Sequence, residues 1–253
     1  MRTIVVTGTA SGLGAALRRL FEKNGDRVIG IDRREADIVA DLADPAERDR
    51  AIREVLDRCQ GPIDGVVSCA GLGPYDDPRA ITRVNYFAAI AMLDRLRDAL
   101  ARSPQPAAVA ISSVAGVFAQ VAIPEYIDAC REGDEEGALA AIEGRDGTTA
   151  YLNAKRALAL GVRRRATEWG ELGIRLNAVG PGTMQTPMLD KLLSLPEHAP
   201  AIRALPTPLN RSGSAEEIAA VVAFLLSPDA SYVHGQILFV DGGSDAAVRP
   251  DDF

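Results

Sequence analysis

Six short, mainly apolar runs most constrain this chain: Thr3–Val6, Arg27–Ile31, Gly65–Cys69, Ala107–Ile111, Ile174–Val179 and Gln236–Val240. They lack strict alternation of apolar and polar residues, as strands covered on both faces require. The stretches between them read as amphipathic helices with defined starts. Asp44, Pro45 and Glu47 have the pattern of an N-cap, a proline at the first helical position and a capping-box glutamate, followed by apolar Ala51, Ile52, Val55, Leu56 and Cys59 on one face. Ser214 and Glu217 repeat the capping pattern before Ile218, Val221, Val222, Leu225 and Leu226. Strands alternating with helices predict an α/β fold: a single domain with a Rossmann-type doubly wound parallel sheet. One connection departs from that plan. Only Arg33 to Asp37 separate Asp32 from the next strand-like piece, Ile38–Ala40, so the connection after the second strand is shortened and lacks room for a crossover helix.

The bulk properties exclude several roles. At 253 residues and 47% hydrophobic the chain suits one sizeable core, and its net charge of -7 disfavours nucleic acid or an anionic membrane as partner. Cys59, Cys69 and Cys130 are scattered, which suits reduced thiols in a cytoplasmic protein. His198 and His234 lack metal-ligand spacing, so no metal site is expected. Strand residues start at Thr3, which leaves no room for a signal peptide, and no apolar run has the length of a membrane span.

The segment T-G-T-A-S-G-L-G, Thr7 to Gly14, follows the first strand and opens a helix. Gly8 permits a sharp turn, Gly12 a close approach to a pyrophosphate, and Gly14 tight helix–strand packing. The helix beginning near Ser11 directs its N-terminal amides, including that of Leu13, at phosphate oxygens. Asp32 ends the second strand 18 residues beyond Gly14, near the spacing of about 20 for a ribose-binding acid. Its charge repels a 2′-phosphate, and the glycine loop carries no basic residue, so NAD is the expected cofactor although Arg33 and Arg34 follow directly. The glycine spacing, G-x-x-x-G-x-G, resembles that of the short-chain dehydrogenase/reductase family. That resemblance implies that Asp41 and Leu42 flank the adenine and that Ala70 and Gly71 flank a ribose.

Tyr151 and Lys155, in Y-L-N-A-K, lie four apart and share one face of a helix. A free phenol titrates near about 10, and an adjacent ammonium stabilises the phenolate, so Lys155 is expected to lower the Tyr151 pKa. Ser112 and Ser113 close the strand Ala107–Ile111, at a carboxyl end where wound sheets bind ligands. By the family resemblance, Ser113 hydrogen-bonds the substrate oxygen while Ser112 bonds backbone, and Asn85 supports a water linked to the lysine. A buried structural network is the other reading of Asn85. The segment Pro181-Gly182-Thr183 followed by Thr186 resembles the family's nicotinamide-holding stretch, and the run from His234 to Gly243 its last strand and closing turn.

Ser113 and Tyr151 stand 38 residues apart, and about 118–146 reads as a helical insertion before the catalytic helix, with helices at Pro124–Arg131 and Asp134–Glu143. It either covers the site or forms a subunit interface, and its acidic, helical character favours the interface. The stretch 183–211 reads as a substrate lid. Its Met184, Met188, Leu189, Leu192, Leu193, Leu195, Ile202 and Leu205 suit a bulky apolar substrate or simple packing, and its prolines suit an irregular, mobile segment. Together these features narrow the resemblance to family members that oxidise 3α-hydroxysteroids with NAD and reduce assorted aldehydes and ketones. The expected partner is a small hydrophobic alcohol or ketone, and the family's habit implies a homodimer or homotetramer. The alternatives are an NAD-dependent dehydrogenase of another hydrophobic or cyclic alcohol (a terpenoid, sugar or dihydrodiol) and a non-catalytic dinucleotide sensor.

Overall fold

Seven parallel strands form one sheet: β1 (Thr3–Thr7), β2 (Arg27–Asp32), β3 (Ile38–Val39), β4 (Gly65–Ser68), β5 (Ala107–Ile111), β6 (Arg175–Pro181) and β7 (Ile237–Val240), in the order β3-β2-β1-β4-β5-β6-β7. The structure is a computed structural model that describes residues 1–59, 61–117 and 121–252. The first residues of the expected insertion, 118–120, lie outside the described residues.

Both faces of the sheet are covered, which is why its strands are so uniformly apolar. Alternate residues of one strand serve opposite cores. Ile4 and Val6 pack with α1 (Gly12–Lys23) and α10 (Ala215–Leu225), through Leu17, Phe21, Ile218 and Val222. Val5 instead faces the layer of α2 (Pro45–Arg58), α4 (Ala89–Leu100) and α7 (Gly147–Glu171), where Ile52, Val55, Leu93, Leu96, Leu158 and Trp169 are buried. The short α3 (Pro78–Thr82) runs through a π-helical turn, Arg83–Ala88, into α4.

The shortened connection is as expected, and polar contacts stand where a helix would pack. Asp37 accepts a hydrogen bond from Gly30 N at 2.8 Å and pairs with Arg18 of α1 at 3.1 Å, folding residues 33–37 back on the strand. A Cβ on Gly30 would lie 2.6 Å from Thr9 Oγ1 and 3.0 Å from the Arg18 guanidinium, so a larger residue there would push on both side chains.

The capping expectations hold for one helix and change for the other. Ser214 and Glu217 form the reciprocal box at α10. Asp44 caps α2 through Ala46 N, but Glu47 reaches past the cap to Asp41 N at 2.6 Å, bracing the turn that carries Asp41 and Leu42. Leu56, expected on the buried face of α2, is 38% exposed, at the border of the stripe that Ala51, Ile52 and Val55 bury.

The helical pair before α7 comprises α5 (Pro124–Glu132) and α6 (Glu135–Ala141), joined by Gly133 at φ 75° and capped by Asp134. It packs on its own chain through Tyr126, Cys130, Ala138 and Leu139, and Glu135 bridges Arg48 and Arg83 at 2.9 and 3.1 Å. Beyond β6, α8 (Pro187–Ser194) and α9 (Ala199–Ala204) are short and separated by Pro196; the chain ends in α11 (Ser244–Val248).

Candidate active site

A cleft of about 590 Å³ opens at the carboxyl ends of the strands. It spans β1 and β4, where the strand order reverses direction, the location at which wound sheets bind ligands. The cleft is lined by every expected site residue except Asn85.

Backbone builds the first part of it. Gly8 (φ 82°) sits so close to β4 that a Cβ would lie 2.9 Å from Ala70 Cα. A Cβ on Gly14 would lie 1.9 Å from Gly8 O, so bare backbone is what lets α1 approach the loop. At Gly12 (φ 52°) the nearest group is the Thr186 methyl at 3.3 Å, and the cleft side is open. Ser11 makes no side-chain capping bond, which leaves the first-turn amides of α1 facing the cleft without a protein cap. Thr7 Oγ1 accepts from Cys69 N and Ala70 N at 2.9 and 2.8 Å, fastening the β4 turn to β1.

Asp32 closes the far end. One carboxylate oxygen accepts from Ala10 N at 2.9 Å and the other from Arg33 N at 2.6 Å. These bonds fix the carboxylate at the mouth and leave lone pairs for hydroxyl donors. Asp41, Leu42 and Arg33 complete that end of the lining.

The opposite wall is α7, whose start is capped by Asp146 through Thr149 N at 2.7 Å. Tyr151 lies beside Ser113, whose hydroxyl favours the ionised phenol and accepts from Ala115 N at 3.1 Å. Lys155 is 4% exposed and donates from Nζ to Ile111 O at 2.8 Å, with Nζ 5.8 Å from the Tyr151 ring centroid. Burial pushes the Tyr151 phenol above its ordinary value, and the neighbouring Ser113 hydroxyl only partly opposes this. The expected lowering by Lys155 is not what this geometry produces: the ammonium is directed at Ile111 O and is itself driven down to about 8 by burial. Ser112 Oγ donates to Lys155 O at 2.8 Å, the backbone role expected of it.

Asn85 stands behind the cleft wall at 0% exposure, in the π-helical turn, a geometry that recurs at functional sites. Its Oδ1 accepts from Leu72 N at 2.7 Å and its Nδ2 donates to Leu72 O at 3.0 Å, the buried network that was its other reading. A Cβ on Gly71 would lie 3.4 Å from Asn85 Oδ1 and 3.5 Å from Lys155 Nζ, ordinary contact distances, so both polar groups converge on this residue.

Thr186 caps α8 through Leu189 N and donates to Met184 O at 3.1 Å. A Cβ on Gly182 would lie 2.7 Å from Asp241 Cα, and Thr183 O accepts from Gly213 N at 3.0 Å. Met184, Met188, Leu189, Leu192, Ile202 and Leu205 line the cavity, whereas Leu193 and Leu195 do not.

Sequence reasoning missed Cys69, Pro74, Val121, Thr148 and Leu152 in the lining. Thr148 and Leu152 were findable, because with Lys155 they follow one helical stripe. Pro74 and Val121 carry no local signal; distant packing brings them in. His234 is structural, accepting from Leu176 N at 3.0 Å and bonding Ala166 O at 2.6 Å.

A glycine-lined, backbone-built groove leading to half-buried Ser113 and Tyr151 beside buried Lys155, on a wound parallel sheet, defines a dinucleotide-type oxidoreductase site. Residues 2–128 match the family described as short chain dehydrogenase, and residues 137–245 match that described as enoyl-(acyl carrier protein) reductase. The chain is 42% identical to the 3-alpha-hydroxysteroid dehydrogenase/carbonyl reductase of Comamonas testosteroni, covering 100% of both. It is 30% identical to a Pseudomonas coniferyl-alcohol dehydrogenase, covering 96% of each. The crystal structure of the 3-alpha-hydroxysteroid dehydrogenase from Pseudomonas sp. B-0831 complexed with NADH superposes with a TM-score of 0.95 at 42% identity, covering 99% of this chain and 100% of that one. The chain belongs to the short-chain dehydrogenase/reductase family of oxidoreductases.

Proposed function

We propose that the chain interconverts a secondary alcohol and a ketone with NAD(H), and that 3α-hydroxysteroids are its substrate class. The observation that carries this is the continuity of one cleft, from the Asp32 carboxylate to Ser113 and Tyr151 and on into an apolar cavity. The glycine loop and the uncapped start of α1 fit a pyrophosphate, and Asp32 fits paired ribose hydroxyls while opposing a 2′-phosphate. Asp41 and Leu42 flank the adenine end, Ala70 and Gly71 the ribose, and Pro181, Gly182, Thr183 and Thr186 the nicotinamide end. The dinucleotide, when bound, supplies the hydride donor or acceptor.

Ser113 orients the substrate oxygen. Tyr151 holds the proton that this oxygen gains in reduction and surrenders in oxidation. Lys155, fixed by Ile111 O, places positive charge at this wall, and Asn85 shapes the backbone behind it. The apolar lining from Met184 to Leu205 excludes water and suits a large hydrophobic ring system. The 42% identity to a 3-alpha-hydroxysteroid dehydrogenase/carbonyl reductase along its whole length supports that class.

We read residues 183–211 as the lid over this cavity, and the whole chain as one domain with a helical insertion over about 118–146. A homo-oligomer is supported by the sheet edge β7, half-buried along its length, with Phe224 and Tyr232 exposed. Among the described residues no helix is long and apolar enough to cross a membrane, and a cytoplasmic location is consistent with three unpaired cysteines. The test is initial-rate NADH formation with a 3α-hydroxysteroid beside several short alcohols, repeated with NADP. NAD-dependent steroid oxidation is expected. Faster rates with NADP overturn the cofactor assignment, and activity on the short alcohols alone overturns the substrate class.

A further inference from the structure

Between Tyr151 and Lys155 on α7 sits Asn153, 1% exposed, a residue type that weakens helix interiors. Its carboxamide is used in three directions. Oδ1 accepts from Ile123 N at 2.8 Å, and Nδ2 donates to Val121 O at 3.1 Å and to Thr149 O at 3.0 Å. One side chain thus grips the backbone on both sides of Ala122 and ties it to the helix that carries the reacting groups.

Two other bonds fasten the chain after β5 to the same helix: Ser112 Oγ to Lys155 O at 2.8 Å, and Arg156 to Gly116 O at 3.2 Å. Neither reaches Val121. Val121 lines the same cleft as Thr148 and Leu152 and the apolar residues of α8 and α9, and is 39% exposed. Lys155 does not depend on this grip, because its Nζ donates to Ile111 O, and none of the three Asn153 bonds involves Tyr151. The residue that breaks the local helix preference therefore acts on the shape of the cavity and not on the proton-transfer pair.

We propose that Asn153 is a positioning residue for substrate selection. It holds Val121 as a fixed apolar wall that favours large, flat ring ketones and alcohols over small ones. This rests on the reading of the cleft as an alcohol–ketone oxidoreductase site.

The test compares reduction of cyclohexanone with reduction of a fused-ring ketone, either a 3-oxosteroid or 2-decalone, whichever the wild type turns over faster, and measures NADH Kd by fluorescence. In Asn153→Ala the KM for the fused-ring ketone is expected to rise about tenfold. Cyclohexanone kcat/KM and NADH Kd are expected to change less than twofold. Equal changes for both ketones, or no change for either, overturn the inference. Should Asn153→Ala fail to fold, Val121→Ala provides the same readout: a severalfold KM increase confined to the fused-ring ketone supports the wall, and an equal response overturns it. Wild-type reduction of cyclohexanone alone also overturns it, since the wall would then select nothing. No turnover of any carbonyl is instead a failure of the proposed function.

Discussion

The two ends of the cleft are built from different materials. At the dinucleotide end the lining is largely main chain: glycines at positive φ, the start of α1, and a carboxylate fixed by two amides. At the substrate end it is side chain, supplied by Val121, Thr148 and Leu152 together with Met184, Met188, Leu189, Leu192, Ile202 and Leu205. Main chain tolerates almost no added volume there, whereas side-chain walls are altered one methylene at a time at modest cost. Cofactor binding should accordingly be brittle to substitution and substrate choice graded.

Several substitutions break or sharpen that contrast. Tyr151→Phe removes the proposed proton carrier between the two ends and should lower kcat by roughly 10²–10⁴-fold, the usual contribution of a general acid–base group. NADH affinity, measured by fluorescence titration, should stay within about twofold, and retained turnover would remove Tyr151 from the chemistry. Gly14→Ala puts a methyl 1.9 Å from Gly8 O. It should cost NADH affinity at least about tenfold, a loss of about 1.4 kcal/mol, with a lower Tm by calorimetry. An unchanged Kd would show that the groove is softer than its geometry.

Titration separates the ends further. Because burial holds the Tyr151 phenol protonated at neutral pH, carbonyl reduction should be nearly flat around neutrality while alcohol oxidation rises with pH. Lys155 bears on stability with the opposite sense to a paired lysine. Its folded pKa, about 8, lies below the ordinary 10.5, so between those values the unfolded chain binds the extra proton. Its stability cost is therefore full below about 8 and fades as pH rises towards 10.5. Lys155→Met should raise Tm by several degrees at neutral pH while turnover collapses. A lower Tm would mean that the bond to Ile111 O outweighs desolvation.

The smallest effect is expected at the other end. Leu192→Ala trims the cavity wall and should raise KM for a fused-ring substrate about tenfold, since even one missing methylene in an apolar pocket is worth roughly 1–3 kcal/mol. NADH affinity should not move. If it does, the two ends are coupled and the contrast fails.

Much of the frame was legible in the residues. Uninterrupted apolar runs identified six strands to within about two residues, because a sheet covered on both faces leaves no polar period. Gly8, Gly12, Gly14 and Asp32 were legible because turn geometry and strand-end position depend on nearby residues. Leu56 was misplaced because periodicity does not decide exposure at the border of an apolar stripe, and Glu47 because its partner lies outside the helix it helps to begin.

The sequence by itself determined the two-faced sheet, the glycine groove, and the pairing of Tyr151 with Lys155 on one helical face, since each follows from short-range sterics and periodicity. Tertiary structure alone decided that burial raises the phenol and lowers the lysine, that Asn85 stands behind the wall, and that Asn153 holds Val121 over the cavity. These depend on desolvation and on contacts between elements far apart in the chain, quantities set only when the layers pack.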